Sequence, residues 1–290
     1  MSITEGTIPF TEGTIPFTVN DEAFHTWYKI AGDITTSQRP PLIVLHGGPG
    51  GSHDYMLPLV DLSTRDPPTT VIFYDQIGTG HSSHIHNKPS SFWSIELFVN
   101  ELENLLTHFS LTDKSYDLLG QSWGAQLGAE FIIRRQPLGL RRLILANGLA
   151  KVGETIKRHE REGTTLAEEY KAAWRVFYEN YACRMKPIPA EVIHTIGQTE
   201  DDDGGAIVLD NMRKNVLEFE WDIIDKIHLI RVPTLIINGE YDYMTDEVCA
   251  PFFWRIDKVK WVKFAHSSHM PQWEEREHYI EVVDEFLGQV

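Results

Sequence analysis

The pentapeptide Gly120-Gln121-Ser122-Trp123-Gly124 stands directly after the apolar run Tyr116-Asp117-Leu118-Leu119 and opens a stretch of helical pattern. A serine in that setting is a candidate nucleophile. It sits on a strained turn between strand and helix, its hydroxyl is pushed into the open, and the helix N-terminus behind it favours developing negative charge. The flanking glycines remove side chains that would collide with neighbouring backbone. Such a pentapeptide also arises by chance. Its meaning depends on whether the chain supplies a base, an orienting carboxylate and two N–H donors for an oxyanion.

Each of these has a candidate. The run 234–237 leads into Asn238-Gly239-Glu240-Tyr241-Asp242. A carboxylate just past the C-terminal end of a parallel strand lies on the edge where ligands bind. Asp242 is preferred to Glu240 because it lies deeper in the turn; its alternative role is a cap for a helix beginning near Thr245. The next run ends in Ala265-His266-Ser267-Ser268-His269-Met270-Pro271. His269 is the candidate base because it precedes the last helix, whose first turn would hold Glu274 and Glu275. His266 is the alternative.

Upstream, His46-Gly47-Gly48-Pro49-Gly50-Gly51 follows the run 42–45. It lacks the Gly-Lys-Ser/Thr of a phosphate loop, and His53 stands where a dinucleotide fingerprint has glycine. Glycines there let backbone N–H groups approach a substrate oxygen. The N–H groups of Gly48 and Trp123 are therefore the candidate oxyanion donors. His81, His84 and His86 are close in sequence, but no Asp, Glu or Cys accompanies them in a ligand pattern. Neither a metal nor a cofactor is expected.

These residues need a scaffold that brings strand ends together. The runs 42–45, 71–74, 116–119, 143–146, 234–237 and 260–264 read as strands, several apolar throughout, as strands buried on both faces are. Ile95, Phe98, Leu102, Leu105, Leu106 and Phe109 share one helical stripe, and Ile280, Val283, Phe286 and Leu287 another. Strands alternating with helices predict a mostly parallel α/β sheet covered on both faces.

The alternation stops from about Lys151 to His228, where Tyr170, Ala173, Trp174, Phe177, Tyr178 and Tyr181 fall at helical spacing. Pro187 and Pro189 break that run, and Asp201-Asp202-Asp203-Gly204-Gly205 reads as an exposed loop. We expect residues 1–150 and 229–290 to form the core and 151–228 a helical cap over the serine, limiting substrate size. Trp174, Tyr178, Glu218, Glu220 and Trp221 are its candidate pocket residues.

The chain has 290 residues, 42% hydrophobic and 23% charged, as in an ordinary globular protein. Its net charge of −16, with no basic patch, excludes nucleic acid and anionic membrane as expected partners. The expected partner is a small-molecule or short-peptide substrate; the oligomeric state stays open. Cys183 and Cys249 give neither a disulfide framework nor a metal spacing. Residues 1–5 lack a basic n-region and an apolar h-region, no run approaches a membrane span, and no N-x-[ST] sequon occurs, so a cytoplasmic protein is expected. The heptapeptide TEGTIPF occurs at 4–10 and again at 11–17. One copy is expected to form the first strand and the other a poorly ordered tail.

The strings HGGPGG, Tyr74-Asp75-Gln76-Ile77-Gly78-Thr79-Gly80-His81-Ser82, GQSWGA and Ser268-His269-Met270-Pro271 together resemble the proline iminopeptidase family of serine α/β-hydrolases. That family removes N-terminal residues, proline foremost, and has relatives acting on amino-acid amides. The resemblance runs from about Trp27 to the C-terminus and is weakest in the cap. It implies an α/β-hydrolase fold with Ser122 as nucleophile, Asp242 as orienting acid, His269 as base, and Gly48 and Trp123 as oxyanion donors. Family members that act on free N-termini place one glutamate in a Gly-Pro-x-Glu-Phe setting in the cap and another directly after the catalytic aspartate. Here Tyr243 follows Asp242 and the cap lacks that string, leaving Glu218 and Glu220 as substitutes. A buried site without a partner for an ammonium rejects it. The same triad acting on a neutral ester, lactone or specialised-metabolite amide is therefore the alternative reading, and a non-catalytic ligand receptor a third.

Overall fold

The computed structural model describes residues 8–151, 175–200, 204–217 and 221–289. β1 (Phe10–Val19) and β2 (Glu22–Ala31) form an antiparallel hairpin. Asn20 and Asp21 join them at φ 50° and 64°, the two-residue turn whose twist matches that of paired strands. β1 contains the second TEGTIPF copy; residues 4–7 of the first lie outside the described residues. That copy forms the expected first strand, whereas β2 and the Asn-Asp turn have no counterpart among the expected elements.

β2 pairs antiparallel with β4 (Val71–Asp75). From β4 onward all neighbours are parallel, through β3 (Leu42–Leu45), β5 (Tyr116–Gln121), β6 (Leu140–Ala146), β7 (Thr234–Gly239) and β8 (Val259–Phe264). The full order is β1-β2-β4-β3-β5-β6-β7-β8. The chain moves outward from β3 to β4 and then crosses back to β5. The loops leaving β3 and β5 therefore diverge and open a crevice at the C-terminal edge of the sheet.

β3, β4, β5 and β7 are buried along their whole length. Because successive side chains point to opposite faces, each strand feeds two cores. Ile43, Leu45, Ile72, Tyr74, Leu118 and Leu143 pack with α1 (Ile95–His108), α2 (Trp123–Arg135) and α5 (Asp246–Arg255). Leu42, Val44, Val71, Phe73, Leu119 and Ile144 pack with α7 (Arg276–Gly288) and the 3-10 segment Asp54–Thr64. Ser94 caps α1 by accepting from the Leu97 N–H. Of the expected stripe, Ile95, Phe98, Leu102, Leu105 and Leu106 are buried, while Phe109, at the C-cap, is partly buried.

Between β6 and β7 the described residues are mainly helical: a π-helical turn Tyr178–Ala182, α3 (Ala190–Glu200), α4 (Gly205–Met212), a second π-helical turn Arg213–Leu217 and a 3-10 segment Ile224–Leu229. An isolated bridge between Lys151 and Asp222 ties the ends of this insertion. One expectation needs correction. Gly204 and Gly205 are not an exposed loop but are both buried, and Gly205 begins α4. A Cβ on Gly50 would meet Gly205 O at 2.2 Å, so backbone packs directly on backbone where α4 meets the glycine-rich loop.

A second correction lies at the C-terminal end. Glu274 ends a short helix, α6 (Pro271–Glu274), and only Glu275, the N-cap whose carbonyl accepts from Tyr279 N at 2.8 Å, opens α7. No helix among the described residues is long and apolar enough to cross a membrane.

Candidate active site

The ends of the six strands β3–β8 converge on the crevice, and each delivers a polar residue. At the end of β5, Ser122 has φ 56° and ψ −122°, a strained conformation held because its N–H donates to Ala146 O at 2.9 Å and its carbonyl accepts from Ala125 N at 2.9 Å. From residue 116 to residue 132 only Ser122 is not buried. A Cβ on Gly120 would lie 2.1 Å from Gly124 O, and one on Gly124 would lie 2.0 Å from Leu45 O. Both glycines are therefore needed for the turn to seat against β3.

Past β7, the buried Asp242 is held from three sides. Oδ1 accepts from Met244 N at 2.9 Å and from His269 Nδ1 at 2.8 Å, while Oδ2 accepts from Asn147 Nδ2 at 2.7 Å. Asn147, at φ 53° just past β6, went unnoticed in the sequence, where an Asn-Gly pair after a strand reads only as a turn. A carboxylate cannot donate, so Nδ1 of His269 carries the proton and the neutral ring keeps its lone pair on Nε2. The backbone of His269 is fixed at both ends: its N–H donates to Tyr181 O at 3.2 Å and its carbonyl accepts from Gln121 Nε2 at 2.8 Å.

The alternatives lie elsewhere. His266 is exposed and its N–H donates to Glu275 Oε2 at 3.0 Å. Glu240 is exposed and paired with Lys263 at 2.6 Å. Glu274 accepts from the N–H and hydroxyl of Ser268, and Glu275 from the hydroxyl of Ser267, which braces the loop carrying His269.

The glycine-rich loop is wired to the same residues. Gly47 N–H donates to the Tyr55 hydroxyl at 2.6 Å, and that hydroxyl donates to Gln121 Oε1 at 2.5 Å. Nothing in the sequence marked Tyr55. His46 donates from Nδ1 to Gly47 O at 2.9 Å and accepts at Nε2 from Gln76 N at 2.9 Å. Burial holds its pKa below the usual value, against the raising effect of the Asp75 charge, so the ring is neutral. The Gln76 amide donates to His46 O and accepts from the Trp123 indole, both at 2.9 Å. This is what the Asp-Gln string does: it locks the tryptophan after the serine to the glycine-rich loop. The N–H groups of Gly48 and Trp123 donate to no described residue.

Asp75 accepts from the N–H and Nδ1 of both His53 and His81, at 2.8–3.0 Å. Burial alone would raise its pKa; the neighbouring His53 charge and the hydrogen bonds from both imidazoles hold it well below the usual range. The acid missing beside His81 in the sequence thus comes from Asp75. All these donors are spent on tying two loops together.

Tyr243 completes the inner wall. It is partly buried, and its ring lies 4.3 Å from the His269 imidazole and 5.4 Å from Phe177. Tyr178 stands within electrostatic reach of Tyr243 and Tyr55. Burial first, and then the charge of Glu200, push its phenol up to about 12. Trp221 is buried with its indole N–H on Glu130 of α2 at 2.8 Å. Trp174, Glu218 and Glu220 lie outside the described residues.

Comparison with known proteins agrees with this scaffold. The alpha/beta hydrolase family matches residues 42–285. A proline iminopeptidase of Saccharolobus solfataricus is 35% identical over 269 residues, covering 86% of this chain and 85% of its own. The crystal structure of VinJ superposes with a TM-score of 0.83 at 34% identity, covering 96% of this chain and 98% of its own. That of proline iminopeptidase from Mycobacterium smegmatis does so with a TM-score of 0.80 at 32% identity, covering 96% and 97%. The chain is accordingly a member of the α/β hydrolase family, in the branch that holds the proline iminopeptidases.

Proposed function

We propose that the chain is a serine hydrolase that removes an N-terminal proline, or hydrolyses a small amino-acid amide, through an acyl-enzyme. The observation that carries this reading is the 2.8 Å pair of Asp242 and His269 on the strand edge where Ser122 stands at a strained elbow. Ser122 Oγ attacks the carbonyl carbon while His269 Nε2 takes the hydroxyl proton. Asp242 orients the imidazole and stabilises its cationic form. The N–H groups of Gly48 and Trp123 receive the oxyanion. His269 then gives its proton to the leaving amine, the C–N bond breaks, and the acyl group stays on Ser122. A water, losing its proton to His269, attacks that ester and restores the serine. No cofactor enters these steps.

The substrate, a small molecule or short peptide, enters between the sheet edge and a cap formed by residues 151–228, over a core of 1–150 and 229–290. Tyr178, with Trp174, Glu218, Glu220 and Trp221, contributes the cap's side of the pocket, and Glu218 or Glu220 takes the substrate ammonium. The two buried free thiols, Cys183 and Cys249, suit a cytoplasmic site of action.

One observation favours a second reading. Against the His269 imidazole stands the neutral phenol of Tyr243, which suits uncharged esters, lactones or amides better than an ammonium. Turnover of free and N-acetylated prolyl and alanyl amides, beside simple acyl esters, separates the two. Preference for the free amine, lost in Glu218→Gln or Glu220→Gln, supports the aminopeptidase. Hydrogen bonds to charged groups are worth about 1.5–3 kcal/mol, so the loss in kcat/KM is about 10- to 100-fold. Equal or better turnover of acetylated amides or esters overturns it in favour of the second reading.

A further inference from the structure

We propose that Arg184 is a positioning residue: from the cap side it clasps the turn that carries Asp242 to the loop that carries His269. The inference rests on Asp242 and His269 being the orienting acid and the base. Acid and base come from different strand ends, β7 and β8, so their 2.8 Å bond lasts only while the two loops keep one relative position. Tyr241 N–H donates to Ser267 O at 3.0 Å and ties the two loops through backbone. Arg184 closes the same junction from outside.

The segment that does this leaves the π-helical turn Tyr178–Ala182. The end of a helical turn has carbonyls that the turn cannot satisfy, and here the Tyr181 carbonyl accepts from His269 N at 3.2 Å. Further on, Arg184 N–H donates to Glu274 Oε1 at 2.7 Å, the carboxylate that also accepts from the N–H and hydroxyl of Ser268 beside the base. Its side chain reaches both loops. Nη1 donates to His266 O at 3.3 Å, and the guanidinium lies 3.6 Å from the centre of the Tyr241 ring, one residue before Asp242. A planar guanidinium serves both ends at once, because its face covers a ring while an edge N–H reaches a carbonyl. These contacts are with the two loops, so Arg184 acts on the reaction through them.

Arg184→Met keeps an aliphatic stem and removes the guanidinium, while the backbone bond to Glu274 stays. The values of kcat and KM are measured on para-nitrophenyl acetate and on a prolyl anilide, with thermal unfolding followed in parallel. The expected result is a fall in kcat of about 3- to 10-fold with KM little changed, the factor that one exposed cation–π contact and one ordinary hydrogen bond support. Tyr241→Leu should cause a similar fall. The double variant should fall no further than the weaker single variant, since a clasp missing either end no longer holds. A merely structural Arg184 would lower the unfolding midpoint and leave kcat alone; that result, or a change in KM alone, overturns the clasp. So do losses that multiply in the double variant. Should Arg184→Met fail to fold, Arg184→Ala takes its place with the same criteria. Ser122→Ala and His269→Ala test the underlying reading separately. Turnover that survives in them removes that reading, whereas turnover lost there but unchanged in Arg184→Met removes only the clasp.

Discussion

Asn147 donates its side-chain amide to Oδ2 of Asp242 at 2.7 Å, the oxygen that His269 does not use. The carboxylate is thereby fixed from two strand ends at once, β6 on one side and β8 on the other. Asn147→Gly removes this contact together with the longer one from the same amide to Ser268 O at 3.4 Å, and glycine accepts the positive φ of 53° without strain. The expected result is a fall in kcat of about 10-fold with KM little changed, because a hydrogen bond to a charged group is lost and the imidazole is less firmly aimed. Steady-state kinetics on any turned-over amide or ester checks it. An unchanged kcat would assign Asn147 to folding alone.

The two histidines of the β8 loop are predicted to differ sharply. Ser122→Ala and His269→Ala should each lower turnover by about 10⁴-fold or more while leaving the unfolding midpoint near that of wild type, and Asp242→Asn somewhat less. His266 is exposed and bound to the chain through its backbone, so His266→Ala should retain most activity. A severe loss in His266→Ala would displace His269 as the base.

Much of this site is legible in the sequence because its residues follow buried apolar runs. The runs before His46, Asp75, Ser122 and Asp242 carry no alternation, and they are the strands buried on both faces. β2 escapes such a reading: Glu22–Ala31 mixes charged, aromatic and small residues because it pairs near the sheet edge, and its only local signal is Asn20-Asp21. Tyr55 escapes it too, since its role depends on a hydrogen bond to Gln121, 66 residues away. Gly204-Gly205 reads as a loop for a sound local reason, next to three aspartates. Close approach to Gly50 exists only in three dimensions.

That approach predicts a sensitivity at Gly50. It has φ 97°, and an added Cβ would lie 2.2 Å from Gly205 O. Gly50→Ala should therefore push α4 off the glycine-rich loop, with a loss of about 1–3 kcal/mol in unfolding free energy and a reduced kcat. Gly197 in α3 is the control, because a Cβ there meets nothing within 4 Å. Gly197→Ala should be neutral or stabilising by up to about 1 kcal/mol. Chemical unfolding of both variants decides the matter, and equal stability would dismiss the packing argument.

Glu101 on α1 makes stability depend on pH. It is fully buried beneath the Asp75-Gln76-Ile77 turn, where Oε1 accepts from the Thr26 hydroxyl at 2.5 Å and from Ile77 N at 2.9 Å. Burial, with a smaller contribution from Asp75, pushes its pKa up to about 8, against the lowering effect of those hydrogen bonds. An unfolded glutamate titrates near about 4.3. Between these values the folded chain keeps a proton that the unfolded chain has released, so the unfolding free energy falls as pH rises and levels off above about 8. The contribution of Glu101 is fully present only below the unfolded value. Glutamine imitates the protonated carboxyl at every pH, so Glu101→Gln should gain on wild type through this window, by no more than about 1.4 kcal/mol per pH unit. Urea unfolding of both proteins at pH 5, 6.5 and 8 measures the gap. Parallel curves would show that Glu101 is already ionised in the folded protein and that the buried turn tolerates its charge.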